Sequence, residues 1–213
     1  MGRAPSQLRR HVNDNDLFGV MDFLQRTGKR SAKMINNDFS PDECAPLCDH
    51  NDYNPVHSAT HLNQIDILEV LLEYGGNPNV LSQDYRQTAL HIAARKNNLA
   101  ATKVLLRHGA NIHATDRLKR TPLHLAASSL VAKKRDRIDV LRHLVKIGGL
   151  EVIKAREVYG ETPLHHATKT ENMKAVIFLL RNGAKMDDKN YNGKTARDVA
   201  NVKFRLYLDN IEL

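Results

Sequence analysis

Histidine is the residue type whose spacing most invites a chemical interpretation in this chain. The sequence has 213 residues, of which 11 are His. Four of these, His57, His91, His124 and His165, are separated by 34, 33 and 41 residues. An imidazole can bind a metal or carry a proton near neutral pH. The regular spacing instead favours one structural role repeated along the chain. His166, next to His165, is predicted to point the other way along its helix and to be exposed.

A second group of residues could bind zinc. It consists of Cys44 and Cys48, followed by His50, His57 and His61. Two thiolates and two imidazoles can form a tetrahedral zinc site. Pro46 and the acidic surroundings favour a loop with two reduced cysteines, so we predict no metal and keep zinc as the alternative. Two Cys cannot form a disulfide framework, which favours a cytoplasmic or nuclear location.

No other constellation points to catalysis. The sequence has no phosphate-binding glycine loop, nucleophile elbow, zinc-protease motif or kinase motif. We therefore predict a protein that is not an enzyme and has no cofactor. Because no apolar run is long enough, we expect no membrane span, and we expect no secretory leader because the first residues lack an apolar stretch. Gly2, with Arg9 and Arg10 nearby, fits a loose N-myristoylation pattern, and the alternative is an ordinary frayed terminus.

A four-residue string positions the repeated histidines. It occurs as Thr88-Ala-Leu-His91, Thr121-Pro-Leu-His124 and Thr162-Pro-Leu-His165, with degenerate copies beginning at Asn54 and Thr195. A glycine follows 21 residues into three of these units, at Gly75, Gly109 and Gly183. The longest unit has Gly148 as its equivalent.

Each unit is predicted to contain two short helices. Small residues follow the string in the first helix, and an apolar stripe at i, i+3 and i+4 marks the second. Pro122 and Pro163 stand at the first turn, where a missing N–H costs nothing. The glycine after the Leu pair is expected to end the second helix in the left-handed conformation. Neither helix can bury its apolar side alone, whereas stacked neighbours can.

These strings, the period of about 33 residues and the Leu-Leu-x-x-Gly-Ala ending resemble the ankyrin repeat family. The resemblance implies an all-α solenoid of stacked helix-turn-helix units with short β-hairpin-like turns. It also implies that the repeat histidines hydrogen-bond a helix to the neighbouring loop. Arg86 and Lys119 depart from the family pattern, because they stand where a turn glycine is usual.

The whole chain, 1–213, is predicted to form one ankyrin-repeat domain. We assign 1–28 to a degenerate N-terminal cap, 29–52 to a long loop insertion, 53–189 to four internal repeats and 190–213 to a C-terminal cap.

Positive charge is concentrated in one repeat. The chain has a formal net charge of +8, and residues 116–161 carry +5. The basic patch consists of Lys133, Lys134, Arg135 and Arg137, in a six-residue expansion between two helices. A nucleic-acid or anionic-surface binder that uses residues 117–137 is therefore the alternative function. The absence of aromatic residues within the basic run disfavours nucleic acid.

The resemblance places the binding surface on the turn tips and the exposed side of each first helix. Tyr85, Leu118 and Tyr159 share one offset before the repeat Thr, so we expect them to line one rim. The predicted partner-binding residues are Tyr85, Gln87, Arg95, Arg117, Leu118, Arg120, Tyr159, Glu161, Lys169 and Tyr191. Tyrosine suits binding hot spots, although tip tyrosines could instead pack on the adjacent tip. We predict a monomeric adaptor, inhibitor or regulatory subunit that binds a protein with an acidic and hydrophobic segment.

Overall fold

The computed structural model describes residues 3–36, 54–130 and 138–209. The predicted zinc ligands Cys44, Cys48 and His50 and the basic patch at 133–137 lie outside these ranges. Within the described part of the chain the structure is helical, and its β structure is a single antiparallel bridge between Lys189 and Thr195. None of the described helices is both long enough and apolar enough to cross a membrane.

Twelve α-helices occupy the described residues. They are α1 (Arg3–Asn13), α2 (Leu17–Thr27), α3 (Ser31–Asn36), α4 (Pro55–His61), α5 (Ile65–Glu73), α6 (Ala89–Arg95), α7 (Leu99–Arg107), α8 (Pro122–Ala127), α9 (Asp139–Ile153), α10 (Pro163–Lys169), α11 (Met173–Arg181) and α12 (Val202–Asp209). A 3₁₀ turn, Gly28–Arg30, connects α2 to α3.

The repeat strings begin the first helix of each pair. Thr121 and Thr162 lie at the N-cap of α8 and α10 and are each followed by Pro at the first helical position. Asn54, which replaces Thr, caps α4 by accepting a hydrogen bond from His57 N at 3.0 Å. Because Asn is as good an N-cap as Thr, this departure from the pattern leaves the helix start intact.

The contacts divide the chain into two compact units. The first comprises Met1–Ile92 and Ala100–Asn111, and the second comprises Ala93–Leu99 and Ile112–Leu213. The apolar core of the first unit includes Leu24, Leu68, Leu71 and Leu105, which are all fully buried. In that unit α1 packs on α2 and α4, and α4 packs on α5.

The second unit has an equivalent core. Its completely buried side chains include Leu144, Ala167, Val176 and Leu179. Here α8 packs on α9 and α10, and α10 packs on α11. The all-α, helix-turn-helix class predicted from the sequence is therefore confirmed.

Two sequence predictions about local structure are wrong. The segment 29–52 does not begin as a loop, because Ser31–Asn36 form a helix that buries Ile35 and packs on α4. In the longest unit the left-handed glycine is Gly149 (φ 58°) and not Gly148, and the chain continues as helix beyond it to Ile153. Gly148 has no room for a side chain, since a Cβ there would lie 2.4 Å from Val152.

The two residues that stand in for turn glycines do adopt the glycine conformation. Arg86 has φ 51° and Lys119 has φ 58°, whereas the corresponding Gly160 and Gly193 have φ 75° and 72°. A non-glycine residue pays a steric penalty for this backbone conformation. These two positions therefore carry local strain that the corresponding turns at Gly160 and Gly193 avoid.

Candidate functional site

Three turns of the second unit, at 116–120, 157–161 and 190–194, are built in the same way, and we call them the hairpin tips. Each begins with a buried polar residue, Asp116, Glu157 or Asn190. Its N–H donates to the carbonyl four residues later, at 3.0, 3.0 and 2.8 Å respectively. Its side-chain oxygen accepts hydrogen bonds from the N–H groups two and four residues later. These two distances are 2.9 and 2.9 Å for Asp116, 2.8 and 3.3 Å for Glu157, and 3.0 and 3.0 Å for Asn190. The buried side chain therefore fixes the turn.

Backbone hydrogen bonds join consecutive hairpin tips. Leu118 O accepts from Val158 N at 3.0 Å, and Tyr159 O accepts from Tyr191 N at 3.0 Å. The three tips of this unit thus form one continuous row. Leu118 and Tyr159 occupy the same place in their tips, as the shared sequence offset predicts.

The repeat histidines hold the tips to the helices behind them. The Nδ1 atoms of His124 and His165 accept from Thr121 N (3.1 Å) and Thr162 N (3.2 Å), the caps of their own helices. Their Nε2 atoms contact the carbonyls of the last residues of the next tips, at 3.1 and 3.2 Å. Since Nδ1 accepts, Nε2 carries the proton and donates. In the first unit His57 Nε2 makes the equivalent contact at 3.0 Å. The structural interpretation of these histidines is confirmed.

The row of tips exposes apolar and aromatic side chains. Leu118 is 38% exposed, Val158 40%, Tyr159 57% and Tyr191 72%. A Cβ on Gly160 would lie only 2.7–2.9 Å from ring atoms of Tyr191, so this ring rests against the backbone of the preceding tip. Tyr191 therefore stiffens the row as well as presenting a surface, and Tyr159 is a second exposed aromatic side chain in the row.

The turn of the first unit presents one tyrosine. Tyr85 is 62% exposed, in keeping with a contact residue. Gln87, however, is only 2% exposed, and its N–H donates to Ser82 Oγ at 3.0 Å. The prediction that Gln87 is a partner contact is wrong, because its side chain is packed inside the chain.

Two predicted contact residues are held in ion pairs. Arg120 Nη2 lies 2.8 Å from the buried Asp116 Oδ2, so Arg120 closes its own tip. Lys169 Nζ lies 2.5 and 2.6 Å from the two carboxylate oxygens of Glu161. Glu161 is 6% exposed, which corrects its assignment as a surface contact. The Lys169 side chain keeps 47% of its area exposed.

His166 is not the exposed residue that the sequence predicts. Its side chain is 14% exposed, and its ring makes an edge contact with His124 at 5.2 Å between centroids. Burial, followed by the Lys169 ammonium, lowers the pKa of His166 to about 4. Burial also lowers the pKa of His124 to about 3 and that of His57 to about 4. These rings are neutral at physiological pH.

The remaining predicted residues are cations at the surface. Arg95 and Arg117 are exposed, as is Lys119 at the left-handed position of its tip. These cations lie in the same unit as the apolar row. The members of the predicted basic patch, Lys133, Lys134, Arg135 and Arg137, lie outside the described residues.

The buried turn acceptors are the functional framework that sequence reasoning missed. Asp116, Glu157 and Asn190 each stand five residues before the repeat Thr. A polar acceptor at a constant distance before a helix cap is a turn signal, so this periodicity could have revealed them. Because these three side chains are buried, they build the tips but are not accessible to a partner, which can reach only the exposed side chains of the tips.

Buried caps, histidine ties and paired helices define a helical repeat protein with exposed turn tips. Models of known families agree. An ankyrin-repeat model with three copies matches residues 56–152, and a single ankyrin-repeat model matches residues 159–191. The chain belongs to the ankyrin repeat family.

Individual relatives carry the same repeats. Ankyrin repeat protein FPV223 of fowlpox virus is 30% identical over 131 residues, which are 62% of this chain and 86% of that protein. Ankyrin repeat protein FPV222 of the same virus is 31% identical over 129 residues, covering 61% of this chain and 17% of the relative. A transient receptor potential A1 channel homologue of Caenorhabditis elegans is 29% identical over 189 residues, which are 89% of this chain and 14% of the relative. The chain thus spans only a small part of several of its relatives. Ankyrin repeats are generally protein-interaction modules.

Proposed function

We propose that this chain is a non-enzymatic adaptor, inhibitor or regulatory subunit that binds a protein partner through its hairpin tips. The observation that carries the proposal is the row of exposed apolar side chains at Leu118, Val158 and Tyr159 on a turn framework whose polar groups are satisfied internally. A preorganised row of this kind loses little conformational entropy when it binds.

The proposed partner presents apolar side chains flanked by acidic ones. Arg117 and Lys119 border Leu118, and Lys194 lies at the last tip; all three are exposed. Two acidic side chains of the tips, Asp116 and Glu161, are already paired with Arg120 and Lys169. These exposed cations give the row a positive charge, which speeds association with an acidic surface.

Affinity capture with mass spectrometry tests this proposal. Wild-type protein and a Tyr85→Ala/Tyr159→Ala variant would be used as baits, with Tyr207→Ala as a matched control that removes an exposed tyrosine (66%) from α12. We expect the double variant to lose a partner that wild type and control both retain. Identical partner sets for all three baits would contradict the proposal.

Binding to nucleic acid is the second candidate, supported by the exposed cations at Arg117 and Lys119. The two functions differ in their salt dependence, because neutralising several phosphates makes affinity fall steeply with salt. Binding to an oligonucleotide that weakens steeply with salt, with no protein captured, would favour the second candidate. A tyrosine-anchored protein interface depends less on salt.

A further inference from the structure

The most unusual polar cluster in the second unit is formed by Glu157, Glu161 and His166. One ligand atom from each residue lies within 4.8 Å of the other two. Glu157 is 3% exposed and Glu161 is 6% exposed. Two carboxylates buried this close together repel each other unless a cation lies between or beside them. A cation is present, because the Lys169 ammonium contacts both oxygens of Glu161.

A second observation points to a ligand. His166 Nε2 is buried and has no hydrogen-bond partner among the described residues. It lies 3.8 Å from Glu161 Oε2, too far for a hydrogen bond. Most buried polar atoms have a partner, so an orphan nitrogen beside carboxylates points to a bound ion or water at this place.

The remaining ligand comes from Glu157. The N–H groups of the tip donate to Glu157 Oε1. In the part of the chain that the structure describes, Glu157 Oε2 therefore remains available as a metal ligand. The carboxylate cannot turn away, because Oε1 fixes the 157–161 tip. One buried imidazole nitrogen and two carboxylates are a ligand set found at zinc sites.

We propose that Glu157, Glu161 and His166 form a binding site for a divalent transition-metal ion, for which Zn²⁺ is the probe. Ligand atoms about 2.0–2.1 Å from a tetrahedral zinc are about 3.3 Å apart. The 3.8 Å between His166 Nε2 and Glu161 Oε2 therefore requires a small closure, and the Glu157 ligand atom, which lies within 4.8 Å of both, moves closer as the metal binds. An imidazole ligand favours zinc, copper or nickel over magnesium and calcium. The depressed pKa of His166 keeps the ring deprotonated, as a metal ligand must be.

Lys169 is the competing cation in this site. Its side chain is 47% exposed, so its ammonium can move into solvent when a metal takes the Glu161 carboxylate. Metal binding then replaces the single positive charge of the Lys169 ammonium by the two positive charges of the metal ion, beside the same carboxylates. Removing the ammonium is therefore expected to strengthen metal binding, the opposite of what simple damage to the fold would do.

Zinc titration by calorimetry tests the site. The reference is the full chain with Cys44→Ser/Cys48→Ser, so that cysteine ligation does not contribute. We expect one Zn²⁺ per chain, at least about tenfold weaker binding in His166→Ala and in Glu157→Gln, and about tenfold tighter binding in Lys169→Ala. Glu157→Gln keeps the oxygen that fixes the tip. His108→Ala, which removes an imidazole from the other unit, is the matched control and should bind zinc as the reference does.

Nitrogen-15 NMR of labelled histidine provides an independent readout. Zinc should shift the Nε2 resonance of His166 and leave that of His108 in place. An absence of binding to the reference protein, an affinity unchanged by His166→Ala, or weaker binding in Lys169→Ala would each overturn the proposal. The site uses the buried Glu157 and Glu161 side chains, whereas the proposed protein-binding function uses the exposed Leu118 and Tyr159, so failure of the site leaves the proposed protein-binding function standing.

Discussion

Acidification from pH 7.5 to pH 5 should strongly destabilise this protein, because three of its buried histidines are neutral in the folded chain. His57, His124 and His166 have pKa values of about 4, 3 and 4 in the folded chain, mainly because burial disfavours the charged ring. In the unfolded chain each returns to about 6.5. A group whose folded pKa is depressed in this way binds more protons when unfolded. Stability is therefore complete above pH 6.5 and declines as the pH falls from there towards 4.

The size of the effect follows from proton linkage. At pH 5 an unfolded histidine is almost fully protonated, whereas a folded one with a pKa of 4 is about one-tenth protonated. Each such residue then costs about 2 kcal/mol relative to pH 7.5. The three together remove about 6 kcal/mol, which is comparable to the total stability of a typical domain. The pKa of His165 is also lowered by burial and adds to the loss.

Urea denaturation followed by circular dichroism at pH 7.5 and 5.0 measures this difference. His166→Gln removes one titrating ring, so the decrease in the free energy of unfolding from pH 7.5 to pH 5.0 should be smaller by about 2 kcal/mol. His113→Gln is the matched control, since that side chain is 50% exposed and should leave the loss unchanged. Equal free energies of unfolding at the two pH values for the wild-type protein would refute the reasoning.

Three further predictions concern stability. Leu105→Ala removes a completely buried side chain and should cost ~2–5 kcal/mol; an unchanged urea midpoint would show that Leu105 is not a core residue. Lys119→Gly should stabilise the protein by about 1 kcal/mol, because glycine accepts φ 58° without steric cost; a lower melting temperature would contradict this. Gly160→Ala should destabilise by about 1–3 kcal/mol, since the new Cβ meets both a positive φ and the Tyr191 ring. Adding Tyr191→Ala to Gly160→Ala should restore part of the lost stability. If the effects of the two substitutions on stability were strictly additive, this would argue against the contact between the Tyr191 ring and position 160.

The repeat architecture could be predicted from the sequence because it rests on local signals. A Thr cap followed by Pro, a histidine three residues later and a glycine at a constant distance each act within one or two helical turns. Thr121 and His124 are in the relation that the string predicts. The helix at Ser31–Asn36 escaped prediction because it is short and its segment lacks a repeat string.

The binding surface was harder to predict because burial depends on tertiary contacts. Gln87 and Glu161 share one offset with Arg120, yet the first two are buried and the third pairs with Asp116. Tip offsets identify which residues occupy a turn but not which way each side chain points. Tyr159 is exposed at its tip, as a contact residue must be, and its role in binding stays a prediction.

The affinity of a captured partner for the Tyr85→Ala/Tyr159→Ala variant tests the central claim most directly. Loss of two aromatic anchors should weaken binding by ~2 kcal/mol or more, which is about 30-fold, mainly through faster dissociation. Both side chains are exposed, so the variant should melt at the wild-type temperature. A variant that binds the same partner with wild-type affinity and dissociation rate would contradict the assignment of Tyr85 and of the hairpin-tip residue Tyr159 as protein-binding residues.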